Sequence, residues 1–374
     1  MKTPFYGHER QYHNLKKEID AAIAGVLDSG QYVLGPQVKK FEEELAQYFG
    51  CKFALGLNSG TDALWLPLMA LEIGPGDEVI TTSNTFFATV EAIWIAGAKV
   101  VFADSRRDTN NIDPSLIEAR ITPKTRALMP VHLYGQPAEM DKIWAVAKKH
   151  NLAVIEDNAQ SIDSRGKDFK LMDGSDAMGT SFIIQKNLGC FGDGGALVTN
   201  REDIFRRCEA LRNHGSYKRS HHSFGFNSRL DSIHAAVLSV KLKHITEWSD
   251  RRIEVAGMYT KGLKDCGLKL PTVLPGYRHV FHLYVIETPQ RDDMLKFLND
   301  AGVDAKSHYP IAIHKQQGFP WDKDVDWNFR LTNTEANAAQ CISLPMFPEI
   351  RQDEIDYTIE KCVEFCRKNK RTGD

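Results

Sequence analysis

Residues 181–200, SFIIQKNLGCFGDGGALVTN, set a lysine between two short apolar runs. The first run carries Ser181 and Phe182, Lys186 follows five positions after the serine, and Ala196-Leu197-Val198 makes the second. Between them Gly189, Gly192, Gly194 and Gly195 let the backbone turn and approach another surface closely. Such a lysine sits exposed at the lip of a sheet, where a ligand can reach it. An ordinary surface lysine in a β-hairpin would look the same from these residues alone.

Outward from this stretch, short apolar runs alternate with helical patterns. The runs are 53–57, 78–81, 99–102, 127–131 and 153–155, and the helices 61–73, 85–96, 114–120 and 138–150. That alternation predicts an α/β fold with a mostly parallel sheet covered by helices on both faces. Ligands of such sheets bind at the carboxyl ends of the strands. The loops after Leu57, Thr81, Val131 and Ile155 therefore share one rim with the lysine stretch.

Two further helices, 14–29 and 36–49, precede the alternation, separated by SGQYVLGP. Residues 213–228, NHGSYKRSHHSFGFNS, read as a long polar and basic loop, and a long amphipathic helix is expected from Asp231 into the 250s. PTVLPG at 271–276 is the best linker candidate. Beyond it HVFHLYVIET and VDAKSHYP read as strands, RDDMLKFLNDAG as a helix, and 352–368 as a closing helix. The expected division is a large domain over 1–250 and a smaller C-terminal α+β domain over 251–374.

Composition narrows the function. The 374 residues are 42% hydrophobic and 26% charged, the balance of a globular protein. Lysine plus arginine number 47 against 49 acidic residues, which argues against general nucleic-acid or membrane-surface binding. No apolar run approaches the roughly 20 residues that span a bilayer, and the N-terminal stretch lacks a signal peptide's apolar core. Seven scattered cysteines suit a reducing compartment, so a cytoplasmic location is expected. No metal site is expected: Cys362 and Cys366 have no second ligand pair, and no carboxylate or thiolate completes a set with His308 and His314.

Three other stretches fall on the rim. Asn58-Ser59-Gly60-Thr61-Asp62 follows a strand and opens a helix, where free backbone N–H groups make either a phosphate site or an ordinary cap. Glu156-Asp157 ends a buried strand, and alternation lets only one of the two carboxylates face a ligand. In Ser83-Asn84-Thr85-Phe86-Phe87 one ring could stack on a planar group or pack in the core. Together these stretches supply phosphate donors, a flat surface, a carboxylate for a cationic ring nitrogen and an amine for an aldehyde. The ligand they fit is pyridoxal 5′-phosphate.

At this point the chain resembles the DegT/DnrJ/EryC1/StrS sugar aminotransferases, of the fold-type I, aspartate aminotransferase-like superfamily. The resemblance lies in SGQYVLGPQVKKFEEELAQYFG, NSGTDAL, SNTFFAT, PVHLYGQPAEMD, IEDNAQ, SFIIQKNLGCFGDGGALVTN, GFNSRLDSIHAA and HYPIAIH. It implies that Lys186 bonds the cofactor, that Asp157 meets the ring nitrogen and that Gln160 lies near the ring hydroxyl. It also implies Phe86 stacked on the ring and Gly60, Thr61 and Ser181 at the phosphate. Asn227 would reach the phosphate of a neighbouring subunit, which makes the expected unit a homodimer with shared sites. The chain departs from the family at His234, often glutamine there, and at Ile162-Asp163, often Gly-Ala.

Expected substrate contacts are Lys306, His308, Tyr309 and His314 in DAKSHYPIAIH, together with Tyr32 and the basic loop residues Lys218, Arg219, His221 and His222. The implied activity is amino transfer, with glutamate as donor, to a nucleotide-linked keto-deoxysugar at C3 or C4. The alternatives are a dehydratase on the same sugars and a non-catalytic regulator. Some relatives carry histidine at the lysine position and act as dehydratases; Lys186 favours transamination.

Overall fold

The computed structural model describes residues 1–217, 220–319 and 330–370. Helix α1 (His8–Ser29) stops where Gly30 turns to φ 64°, and α2 (Pro36–Phe49) starts on a proline and stops at Gly50 with φ 68°. Proline is preset for a first helical turn, and glycine takes the left-handed cap without a Cβ penalty. Then follow β1 (Phe53–Leu57), α3 (Asp62–Ala70), β2 (Glu78–Thr82), α4 (Ala88–Ile95), β3 (Lys99–Ala103), β4 (Thr125–Leu128), α5 (Met140–His150) and β5 (Ala153–Asp157). β6 (Ala177–Ser181) and β7 (Gly195–Thr199) close the series.

These seven strands make one sheet in the order β1-β7-β6-β5-β4-β2-β3. β7 runs antiparallel to β1 and to β6; the other pairings are parallel. Carboxyl ends of β1 to β6 therefore lie on one rim, and the amino end of β7 lies there too. Side chains on both sheet faces are buried, as the near-continuous apolar runs require. The expected helix at 114–120 is instead two short 3-10 turns, Pro114–Leu116 and Glu118–Arg120. Pro114 opens the first with Asp113 capping it, and the span is too short to propagate an α-helix.

After α6 (Glu202–Leu211) the expected loop holds a small hairpin, β8 (Ser216–Tyr217) with β9 (Ser220–His221). The single helix expected from Asp231 is two: α7 (Ser232–Leu242) and α8 (Ile245–Leu263), broken at Lys243 and His244. α7 is buried over nearly its whole length, against α1 and α2, whereas α8 carries the chain away toward a second core. One straight helix could not serve both.

That second core gathers α8, α9 (Arg291–Asp300), α11 (Gln352–Lys370) and a two-stranded sheet of β10 (Tyr284–Glu287) with β11 (Cys341–Leu344); α10 (Thr332–Gln340) leads into β11. VDAKSHYP makes only isolated bridges, Val303 to Thr3 and Lys306 to Ser343. The linker candidate is tied down: Gln136 donates to the Thr272 carbonyl at 3.0 Å and accepts from the Leu274 amide at 2.9 Å. α8 crosses residue 250 without interruption.

Candidate active site

The glycines on the rim permit a contact that side chains would block. A Cβ added to Gly60 would lie 2.6 Å from the Ser181 Cβ, and one on Gly195 would lie 2.2 Å from the Ser59 carbonyl oxygen. The ends of β1 and β6 and the start of β7 thus close into one cradle. Ser59 Oγ caps the Asp62 amide at 3.1 Å, and its carbonyl takes the Ala63 amide at 3.2 Å. Among the described residues no acceptor takes the amide hydrogens of Gly60 or Thr61. Two free amides at a helix start beside a serine hydroxyl suit a phosphate group.

β5 separates its two carboxylates. Glu156, fully buried, accepts from the Met172 amide at 2.9 Å and pairs with His132 at 2.8 Å. Asp157 faces the rim, accepting from Thr89 Oγ1 at 2.8 Å and from the Ala159 amide at 3.1 Å. Burial pushes the Asp157 carboxyl up, and the bonds from Thr89 and Ala159 and the Lys186 charge oppose that shift.

Lys186, in the connection between β6 and β7, is half-buried rather than exposed. Burial lowers its amine to about 8 and Asp157 draws it back up. A lysine and a carboxylate thus act on each other across one cleft. His282 and His308 flank it, both lowered first by burial and then by the Lys186 charge, His308 to about 4.

Gln160 accepts from the Tyr134 amide at 2.8 Å and donates to Tyr309 Oη at 3.0 Å. The Phe86 ring, 55% exposed, stands 5.7 Å from that of Tyr309, leaving a face open to a flat ligand. The structure therefore brings Gly60, Thr61 and Ser181 together, and likewise Phe86, Asp157, Gln160, Lys186, His308 and Tyr309.

The remaining expected residues have partners of their own. Both ring nitrogens of His314 are engaged, by Ser83 at 2.7 Å and Glu335 at 3.1 Å. Lys306 lies over the Phe5 ring at 5.2 Å. Tyr32 donates to the Leu27 carbonyl at 3.2 Å, and Asn227, exposed, pairs with Asn213. Neither has a hydrogen bond or ring contact with the cleft among the described residues. Lys218 and Arg219 lie outside the described residues.

Sequence reasoning missed Thr89, Tyr134 and His282. Thr89 follows Thr85 by four positions and the two hydroxyls meet at 2.8 Å, a helical spacing legible in SNTFFAT. Tyr134 and His282 come from distant loops and carry no local signal.

A planar ligand with a phosphate, an aldehyde and a basic ring nitrogen fits this set, and fold and cleft together define a pyridoxal-phosphate-dependent aminotransferase. Residues 13–363 match the DegT/DnrJ/EryC1/StrS aminotransferase family, and the chain belongs to it. It is 42% identical over 374 residues to a pleiotropic regulatory protein of Geobacillus stearothermophilus, covering 98% of this chain and 99% of that one. It is 41% identical over 369 residues to the dTDP-3-amino-3,4,6-trideoxy-alpha-D-glucose transaminase of Streptomyces venezuelae, covering 98% and 97%. The solved structure of S. venezuelae DesV in complex with a ketimine intermediate superposes with a TM-score of 0.94 at 41% identity, covering 98% of each chain. No helix among the described residues is long and apolar enough to cross a membrane.

Proposed function

We propose that this protein moves an amino group, with L-glutamate as donor, to C3 or C4 of a nucleotide-linked keto-deoxysugar. The observation that carries the reading is the Gly60–Ser181 cradle at the same strand ends as Asp157, with Lys186 close enough for its charge and that of Asp157 to act on each other. The similar transaminase that acts on a dTDP-linked amino sugar supports the substrate class.

In this reading Gly60, Thr61 and Ser181 hold the cofactor phosphate, Phe86 stacks on its ring, Gln160 lies at the ring hydroxyl and Asp157 meets the ring nitrogen. When bound, pyridoxal phosphate supplies an electron sink for negative charge developing on the reacting carbon. Asp157 keeps the ring nitrogen protonated, each pKa unit of that preference being worth about 1.4 kcal/mol. Thr89 and the Ala159 amide hold the carboxylate in place for this task. Lys186, its amine near 8, takes a proton from the donor's α-carbon and returns one to the sugar carbon in the second half. The donor's keto acid leaves before the sugar binds, which gives ping-pong kinetics.

Tyr32, Lys218, Arg219, Lys306, His308, Tyr309 and His314 are the proposed sugar-nucleotide contacts. The proposed unit is a homodimer in which Asn227 of one copy reaches the phosphate site of the other; its exposure on the single chain supports this. A large lobe over 1–250 then carries the cofactor, and a smaller one begins at 251.

The similar pleiotropic regulatory protein makes a regulator the second reading. Conversion separates the two. The cofactor-loaded protein should lose its visible band on addition of L-glutamate and regain it with a nucleotide-linked 3-keto or 4-keto sugar. A band that glutamate leaves unchanged would defeat the transaminase reading.

A further inference from the structure

Lys241 is a buried lysine that the reaction above does not use. It lies on α7, 1% exposed, and among the described residues no carboxylate forms an ion pair with it. Burial lowers its amine to about 8, against the pull of Cys190 and Glu349. A lysine taken out of water without a counter-charge costs stability, so the fold holds it there at a penalty. Its two contacts both lie on the connection that carries Lys186. Nζ donates to the Gly189 carbonyl at 2.6 Å and stands 4.5 Å from the centre of the Phe191 ring. The first is a short, charge-assisted bond and the second a cation–π contact.

The connection between β6 and β7 is folded tightly enough to pass this hold on to Lys186. The Phe182 amide donates to the Gly194 carbonyl at 2.7 Å, that of Ile184 to Gly192 at 3.2 Å and that of Cys190 to Phe182 at 2.8 Å. Inside this frame the Lys186 amide turns back on the Ile183 carbonyl at 2.9 Å. Gly189 rests against the same turn: a Cβ there would lie 2.4 Å from the Ile184 carbonyl oxygen and 3.0 Å from that of Ile183. A glycine pressed on two carbonyls cannot move alone, so its position fixes the turn before it. Asn187 also ties the turn, to Val280 at 3.4 Å and His282 at 3.2 Å, both near the long limit for such bonds. The Lys241 bond is the short one, and α7, packed on α1 and α2, is a firm base for it.

We propose that Lys241 is a positioning residue for Lys186: through the Gly189 carbonyl it sets where the Lys186 amine stands in the cleft. The proposal rests on the pyridoxal reading above. The phosphate cradle needs no such help, since Ser181 and Gly195 are paired across β6 and β7. Loss of Lys241 should therefore misplace the amine and leave the cradle as it was.

Two probes separate the amine from the cradle. Pyridoxal 5′-phosphate can bond Lys186, its aldehyde carbon taking the amine nitrogen as one water leaves. Pyridoxine 5′-phosphate has the same ring and phosphate with an alcohol in place of the aldehyde, and cannot. Lys241→Met keeps the side chain's length and removes the donor. Affinity of the apoprotein for the aldehyde should fall about tenfold, while affinity for the alcohol stays within about twofold. With pyridoxal phosphate saturating, kcat should fall about tenfold and KM for glutamate should hold. Phe191→Leu, at a partly exposed ring, weakens the same hold without leaving a carbonyl unpaired. It should cost about threefold in affinity for the aldehyde alone.

In the double variant Phe191→Leu should add little to Lys241→Met, because it acts through the ammonium that is already gone. Equal loss for both probes would make Lys241 a general support of the fold and overturn the proposal. No loss for either probe, or full additivity of the two substitutions, would overturn it as well. If Lys241→Met does not fold, Phe191→Leu decides alone by the same comparison of probes. A wild-type apoprotein that binds neither probe would instead defeat the pyridoxal reading, so the two failures are distinct.

Discussion

Glu156 and His132 form a hydrogen-bonded pair at 2.8 Å with neither side chain exposed. The Ala138 amide donates to His132 Nδ1 at 3.1 Å, so Nε2 carries the ring hydrogen and gives it to Glu156. A neutral histidine therefore sits against the Glu156 carboxylate, and both second partners are backbone amides. The strand has spent Glu156 on the fold and left Asp157 for the rim.

The two carboxylates should fail differently. Asp157→Asn keeps the fold and the cofactor but loses at least about a hundredfold in rate, since an amide cannot hold a protonated ring nitrogen. Glu156→Gln keeps most of the rate and loses roughly 1–3 kcal/mol of stability, because one charge-assisted buried bond is gone. Denaturant melts beside single-turnover rates would check both. A Glu156→Gln protein of normal stability and no rate would reverse the assignment.

Lys186 should leave a signature in the apoprotein. Its folded amine lies near 8, below the ordinary lysine value of 10.5. The unfolded chain therefore binds more protons between those values, and this group's contribution to stability rises as pH climbs through that window. Below about pH 8 the penalty of burying the lysine is present in full. Lys186→Met should thus stabilise the cofactor-free protein at pH 7 by roughly 1–3 kcal/mol, a gain that fades toward pH 10.5. Thermal melts of the two apoproteins across pH 6 to 10 would show it, and a gain that grows with pH would refute it. The same variant should be inactive in transamination.

Much of this was legible because it is local. The bounds of α2 and β1 follow from Gly35-Pro36, Gly50 and the apolar run after it, and the lysine stretch announced itself by its glycines. What escaped depends on distant partners. Nothing near Asp231 says that its helix must break at His244, since the break serves two separate cores. The two partners of the His314 ring, Ser83 and Glu335, lie 231 and 21 positions away, and DAKSHYPIAIH carries no sign of either. Tyr134 reads as an ordinary loop aromatic until Gln160 and the His308 carbonyl are seen around it.

Glu287 ties the smaller core to the sheet. It is 3% exposed and accepts from Lys269 at 2.5 Å, Asn337 at 3.1 Å and Asn110 at 3.2 Å, with Arg107 also paired to it. Burial alone would raise its carboxyl, but Lys269, Arg107 and Asn337 outweigh that and hold it low. A carboxyl lowered on folding gives stability that is present above its unfolded value, about 4.3, and lost as pH falls through the folded one. Glu287→Gln should cost roughly 1–3 kcal/mol at pH 7, leaving the partly exposed Lys269 and Arg107 without their carboxylate, and should flatten acid unfolding below pH 4. Urea melts at pH 7 and pH 3.5 would separate this from a surface effect, which would cost under about 1 kcal/mol at both.

Asn227 tests whether the working unit shares its sites. On the single chain it is exposed, bridged to Asn213, and the residues around it include Phe224 at 98% and Phe226 at 38% exposure. Apolar rings at such exposure next to a neutral donor suit a surface that another copy covers. A phosphate with about two negative charges takes several donors, and the Gly60, Thr61 and Ser181 set leaves room for one from a neighbour. Cofactor and dimer should then be linked: each strengthens the other, because pyridoxal phosphate binds the dimer better than the monomer. Asn227→Ala should weaken cofactor retention about tenfold with Lys186 untouched, the loss of one bond to a charged group. For complementation a bulkier Asn227→Trp is the better partner, since the variant must be inactive alone. Mixed and allowed to exchange, Lys186→Ala and Asn227→Trp chains should regain activity, because one of the two sites in a mixed dimer carries both native residues. Equal mixing makes half of the dimers mixed, so recovery approaches about a quarter of the wild-type sites. Freely exchanging chains that stay inactive, or a fully active monomer by sedimentation at assay concentration, would rule shared sites out.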